Sequence, residues 1–277
     1  MGIRFALKIF LFYFLLINIH GNDGAREMNK NVLRLPSMDH HAHAHPSSRI
    51  DPSSMVFFTL NDLKLGNKIP IYFPMKDPSS SPPLLSKEKA NSIPFSLNQL
   101  PYLLKYFSFS QNSPQAIAME HTLRECEIKP IKGETKICAT SLESMLDYVH
   151  ETFGLNTEFD ILSTTHLIKS KTNLDNYTIL QEPKEIHVPK MVACHTMPYA
   201  YTVFYCHSQM TENKVFVVSL EGDNGGRVEA VAVCHMDTSQ WSRNHASFRV
   251  LGIEPGSSHV CHFFRGDNLV YVATPVK

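Results

Sequence analysis

Hydrophobic positions along this chain change their spacing three times. The first apolar run, Ile9 to Ile17, is uninterrupted and follows Arg4 and Lys8. A membrane-spanning helix needs about 20 apolar residues, whereas a short apolar core behind a basic start matches a secretory signal peptide. Residues 1–21 are read as that peptide, with processing near Gly21. Residues 22–55 hold no sustained apolar period and are rich in Gly, Asn, Pro and Ser, the texture of a flexible leader. The leader contains the His-rich stretch Asp39 to His45, whose simplest reading is a solvated linker and whose other reading is a weak metal grip.

From Met55 the pattern becomes that of packed elements. Val56 to Leu60 and Ile69 to Phe73 read as strands, and Pro74 to Pro83 as a Pro/Ser connector. Helical spacing follows over Ser86 to Asn91, Leu97 to Tyr106 and Pro114 to Arg124. The clearest helix starts at Thr140 or Ser141 and aligns Leu142, Met145, Leu146 and Val149 on one face. Glu143, three residues after Thr140, suits a capping box. Beyond Val188 the pattern turns to short β-branched and aromatic runs: Tyr201 to Tyr205, Val215 to Leu220, Val228 to Val233, Phe248 to Ile253 and Leu269 to Val272. Glu221 to Gly226 is a turn that makes a hairpin of two of them. The predicted fold class is α+β, a mixed N-terminal portion whose helices pack on a C-terminal antiparallel β portion.

Composition sharpens this picture in two places. Lys and Arg total 26 against 26 Asp and Glu, so charge gives no reason to expect nucleic acid or an anionic membrane as partner. No later segment has transmembrane length. The six cysteines all lie beyond residue 125, and four of them precede a histidine: Cys194-His195, Cys206-His207, Cys234-His235 and Cys261-His262. Such a cluster suits tetrahedral zinc in a reducing cell. A signal peptide points instead to an oxidising compartment and to disulfides. Cys126 and Cys138 are near enough in sequence to close a local loop, while Cys194, Cys206, Cys234 and Cys261 can pair in three ways. Consecutive strand residues face opposite sides. Where a pair lies on a strand, sulfur and imidazole therefore part, and disulfides on one face leave histidines on the other. Neutral imidazoles of that kind suit copper or zinc. The plainer alternative is a set of staples beside incidental histidines. Asn176-Tyr177-Thr178 is an N-glycosylation sequon.

The four Cys-His pairs at these spacings resemble the signature of the BURP domain, a plant-specific family. Phe57-Phe58 with Leu63-Lys64-Leu65-Gly66, Cys126-Glu127 through Gly133-Glu134-Thr135-Lys136 to Cys138, and Cys234-His235-Met236-Asp237-Thr238 with Trp241, His245 and Phe248 extend the likeness over residues 56–277. The short leader is similar to that of seed and microspore members. The resemblance implies His195, His207, His235 and His262 as copper ligands, with His245 as a further candidate and zinc less favoured. It also implies, for some members, copper- and dioxygen-dependent oxidative cyclisation of a peptide through Tyr or Trp side chains. Here Trp241 is the single Trp and residues 22–55 hold no Tyr, so the peptide substrate is expected to be a separate precursor acting in trans. The other reading is a non-catalytic seed, vacuolar or cell-wall matrix protein in which the motifs are structural. The intact histidine set favours the enzyme. Either way the expected location is the secretory pathway, ending in the apoplast or a storage vacuole.

Overall fold

The computed structural model describes residues 52–74 and 81–274. The stretch read as signal peptide, and the leader up to residue 51 with its histidine run, lie outside the described residues. Two antiparallel sheets organise the remainder. The first has the path β1 (Phe57–Phe58), β12 (Val260–Phe263), β11 (Arg227–His235), β10 (Asn213–Gly222), β6 (Leu174–Ile179) and β2 (Lys68–Tyr72); β5 (Thr165–Ile168) adds to β11 and β7 (Lys184–Ile186) to β10. The second runs β3 (Glu134–Ala139), β9 (Val203–Gln209), β8 (Met191–Met197), β13 (Leu269–Ala273) and β4 (Phe159–Leu162). The antiparallel α+β expectation is met.

Burial explains why the two sheets stack. Met191, Ala193, Val270 and Val272 of the second sheet meet Val215, Val231 and Val233 of the first, with Phe264 among them, in one apolar layer. The outer face of the first sheet buries Ile69, Ile71 and Tyr177 with Phe58 and Phe263. The outer face of the second is covered by α4 (Leu142–Phe153), whose Met145, Tyr148, Val149 and Phe153 pack on Val192 and Tyr271. Spacings of three and four residues put those helical side chains on one stripe. The helices α2 (Leu100–Tyr106) and α3 (Pro114–Glu127) form a satellite core around Leu103, Met119, Leu123 and Tyr199, joined by Leu85 and Ile93 from either side of α1 (Lys87–Asn91). Pro114 stands in the first turn of α3, and Ser113 caps that turn by accepting from the Ala116 N–H.

Several boundaries differ from the sequence pattern, each for a local reason. The capping box of α4 uses Ser141 and Ser144 instead of Thr140 and Glu143. The strand expected over Val56–Leu60 shortens to two residues because Asp62 accepts from both the N–H and hydroxyl of Thr59, turning the chain. The strand expected at Tyr201 begins at Val203, since Tyr201 belongs to the satellite core. Phe248–Ile253, expected as a strand, is largely the helix α5 (Ala246–Leu251). Its β-branched and aromatic content misleads. His245 accepts from the Ser247 N–H at its start, and Gly252 ends it in the left-handed region at φ 66°.

Tyr271 gives the fold a direct test. Its hydroxyl is buried and has no hydrogen-bond partner among the described residues, and burial pushes its pKa up to about 12. Tyr271→Phe removes a desolvated polar group, so stability in urea unfolding should hold or rise by about 1 kcal/mol. Ile71→Ala, at a fully buried apolar position, should lose about 2–5 kcal/mol. Equal losses for the two variants would show that the Tyr271 hydroxyl is anchored after all.

Candidate metal centre

The register of the strands decides the cysteine pairing that the sequence left open. Cys194 on β8 stands opposite Cys206 on β9, and Cys234 on β11 opposite Cys261 on β12. Both pairs are disulfides, as is Cys126–Cys138, and no cysteine among the described residues is free. Thiolate zinc sites are thereby excluded. Strand alternation then separates the two side chains of each dipeptide. The Cys194–Cys206 sulfurs lie under α4, and the Cys234–Cys261 sulfurs lie in the outer core of the first sheet. The four histidines turn the opposite way and meet between the sheets.

They form a closed circuit. Ring centroids are 5.5 Å apart for His195–His207, 6.3 Å for His207–His235, 5.5 Å for His235–His262 and 5.6 Å for His262–His195. Phe264 stacks beneath two of them, 4.8 Å from His195 and 4.9 Å from His262. Tyr205 flanks His207 at 5.5 Å and Trp241 flanks His235 at 5.0 Å. His245 stands beside the circuit, near enough for its charge to act on His235 and His262. Its ring packs 4.6 Å from Trp241 and its Nδ1 lies 2.7 Å from the Ser247 hydroxyl. The structure therefore gathers four of the five histidines singled out in the sequence and sets the fifth behind the indole. Asn176, the sequon residue, is exposed on β6, remote in kind from this site, with its amide 3.5 Å from Asp223 Oδ2.

Polar neighbours orient the imidazoles; of these only Glu134 stood in a stretch the sequence had singled out, and without this role. Glu134 on β3 accepts from His207 Nδ1 at 3.1 Å. Gln209 Oε1 and Asn213 Oδ1 lie 3.0 Å and 2.8 Å from His235 Nδ1. Asn268 reaches His195 Nδ1 at 3.3 Å. Outer partners of this type fix ring orientation and tautomer in metal sites. Burial raises the proton affinity of the Glu134 carboxyl, but its hydrogen bond and attraction to His207, with the Ile131 N–H and Lys136, hold it below the usual carboxylate range. Burial, reinforced by the neighbouring imidazoles, drives His195 and His235 well below the ordinary histidine pKa and takes His262 to about 3. Neutral rings with lone pairs are what a metal needs.

The fit to an ion is partial as the side chains stand. His235 Nε2 and His262 Nε2 are 3.3 Å apart. Two nitrogens each about 2.0–2.1 Å from one tetrahedral ion would be about 3.3 Å apart. Among the described residues no group of three or more His, Cys, Asp or Glu is drawn together that tightly. One edge of a site is in place, and the other two rings are within reach of it.

Depressed histidine pKa values make stability depend on pH with a definite sign. Between the unfolded value of about 6.5 and the folded values beneath it, the unfolded chain binds more protons, so acid favours unfolding. In chelator-treated protein the urea midpoint should therefore fall steadily from pH 7 to pH 5, a window above most carboxylate titration. A midpoint constant across that window would show that the histidines are not buried as neutral rings.

Known plant proteins resemble the chain over most of its length. The BURP domain profile matches residues 56–273. The BURP domain-containing protein BNM2A of Brassica napus is 47% identical over 228 residues, covering 80% of this chain and 81% of that protein. The BURP domain protein USPL1 of Arabidopsis thaliana is 47% identical over 227 residues with the same coverage. The Arabidopsis BURP domain protein RD22 is 37% identical over 224 residues, which span 80% of this chain and 56% of RD22. With its four Cys-His dipeptides tied into two strand pairs and its profile match running from β1 to β13, the chain belongs to the BURP-domain family of plant proteins.

Proposed function

We propose that this protein is a copper protein of the secretory pathway that oxidatively cross-links Tyr or Trp side chains of a separate precursor peptide. The observation that carries the reading is the convergence of four imidazoles between two disulfide-tied strand pairs, one pair of nitrogens already at ligand spacing. Three disulfides suit an oxidising compartment, and among the described residues no helix is long and apolar enough to cross a membrane. Imidazole nitrogen without thiolate favours copper, which heads the divalent affinity order. Bound copper would supply one-electron chemistry with dioxygen.

The chain's own residues do the rest. His235 and His262 set their Nε2 atoms at ligand spacing, His195 and His207 stand beside them, and Glu134 accepts from His207 Nδ1. Phe264 closes the floor against water. Trp241, the single Trp, is packed on His235 within the domain. It stands in no segment that could be released as a product, which is why the substrate is read as a second chain.

The reading is tested on the purified full chain. His207→Ala and His235→Ala should lose copper by elemental analysis, and with it oxygen-dependent cross-linking of Tyr-containing peptides followed by mass spectrometry, while both still melt cooperatively. His41→Ala, in the leader, should match the parent. A parent that takes up no Cu(II) from buffered solution, together with a His207→Ala protein that simply unfolds, would assign the histidines to structure.

A further inference from the structure

We infer that Asn176 carries an N-linked oligosaccharide, set on the first sheet at the end of β10 remote from the histidines. The inference rests on the secretory route proposed above and is independent of the metal.

Asn176-Tyr177-Thr178 is the one Asn-x-Ser/Thr triplet in the full sequence. Strand alternation on β6 sorts its side chains. Asp175, Tyr177 and Ile179 turn into the core, Asn176 is exposed and Thr178 is half-buried. The backbone at Asn176 is satisfied without the side chain. Its N–H donates to Asp175 Oδ1 at 2.8 Å, and its carbonyl accepts from the Asp223 N–H at 3.1 Å. The side-chain amide makes one long contact, 3.5 Å from Nδ2 to Asp223 Oδ2. An amide nitrogen has two hydrogens, so a sugar can replace one while the other keeps that contact.

The group transferred is an oligosaccharide carried on a lipid diphosphate, the donor class of the secretory pathway. The bond from the anomeric carbon to the diphosphate oxygen breaks, and the bond from that carbon to Nδ2 forms. The diphosphate leaves with the bonding electrons and one amide proton is released, so no oxidant or reductant is needed. The partner strand β10 is synthesised after β6, so the sheet is incomplete when the triplet is made.

Strand register fixes where the sugar stands. Thr178 is opposite Glu221 on β10, whereas His235 is opposite Asn213 at the other end of that strand. Ten residues at about 3.3 Å each put those ends about 30 Å apart. Asn213 and Glu221 fall on the same face by alternation. The glycan therefore shares the histidines' side of the first sheet but lies at its far end. Lys68, opposite Thr178 on β2, pairs with Asp223 at 2.6 Å, and both are about half exposed. They flank the triplet and offer the first sugar a donor and an acceptor.

The test expresses the full chain in plant cells and analyses the purified protein by mass spectrometry. Peptide N-glycosidase acting on the native protein in heavy-oxygen water should release a glycan and convert Asn176 to a labelled aspartate. Asn176→Gln and Thr178→Ala should each lose the glycan entirely, and Thr178→Ser should keep it. Should either of the first two fail to accumulate, the parent's own glycopeptide decides. Glycosylated and stripped protein should show the same fall in urea midpoint between pH 7 and pH 5. A different fall would set the sugar against the histidines and overturn its placement. A bare Asn176 in protein whose signal peptide has been removed would overturn the proposal and leave the secretory route standing. A chain that keeps its signal peptide and carries no sugar defeats both.

Discussion

The arrangement of the site depends on one constraint: a disulfide between directly opposed residues of adjacent antiparallel strands fixes their register. Cys194 opposite Cys206 and Cys234 opposite Cys261 leave neither strand pair free to slip. A slip of one residue would send every side chain to the other face. It would bury the imidazoles in the outer cores and turn sulfur into the inter-sheet layer. The covalent links thus do more than restrict the unfolded chain. They hold four histidines on the inner faces of two sheets whose packing brings those faces together.

The cost of that placement is visible in the electrostatics. Three imidazoles so buried that their protonated forms are strongly disfavoured would weaken an ordinary core. Three of the four rings find polar partners outside the circuit: His207 at Glu134 on β3, His235 at Gln209 and Asn213 flanking the β9–β10 turn, and His195 at Asn268 before β13. Each partner is supplied by an element next to the strand it serves. The third disulfide, Cys126–Cys138, joins α3 to β3 and so braces the strand that presents Glu134. Support for the site therefore extends from the sheets into the helical satellite.

The long connection from β11 to β12 closes the outer side. Thr238 is wholly buried within it and links its two ends, donating to the Ser258 carbonyl and accepting from the Gly256 N–H. That clasp positions Trp241 against His235 and His245 behind Trp241. Aromatic residues consequently stand on three sides of the histidines: Phe264 below, Tyr205 beside His207 and Trp241 outside.

Much of this was written in the residues themselves. The spacing of the Cys-His dipeptides, the period of two along strands and the oxidising compartment together imply sulfur on one face and imidazole on the other, and β8, β9, β11 and β12 have that form. The helix after Ser141 and the hairpin at Glu221–Gly226 were likewise local, because caps and turns act over three or four residues. Other features required the folded chain. Which cysteines pair depends on which strands become neighbours. Whether Phe248 lies on a strand or a helix was decided by His245 and Gly252 at the ends of α5, against the preference of its own composition. Above all, the polar partners of the imidazoles come from residues distant in sequence: Asn268 is 73 positions from His195, and Glu134 is 73 from His207. A hydrogen bond acts over about 3 Å of space and carries no signature of sequence distance, so the surroundings of four similar dipeptides diverge only once tertiary structure assigns each its neighbour.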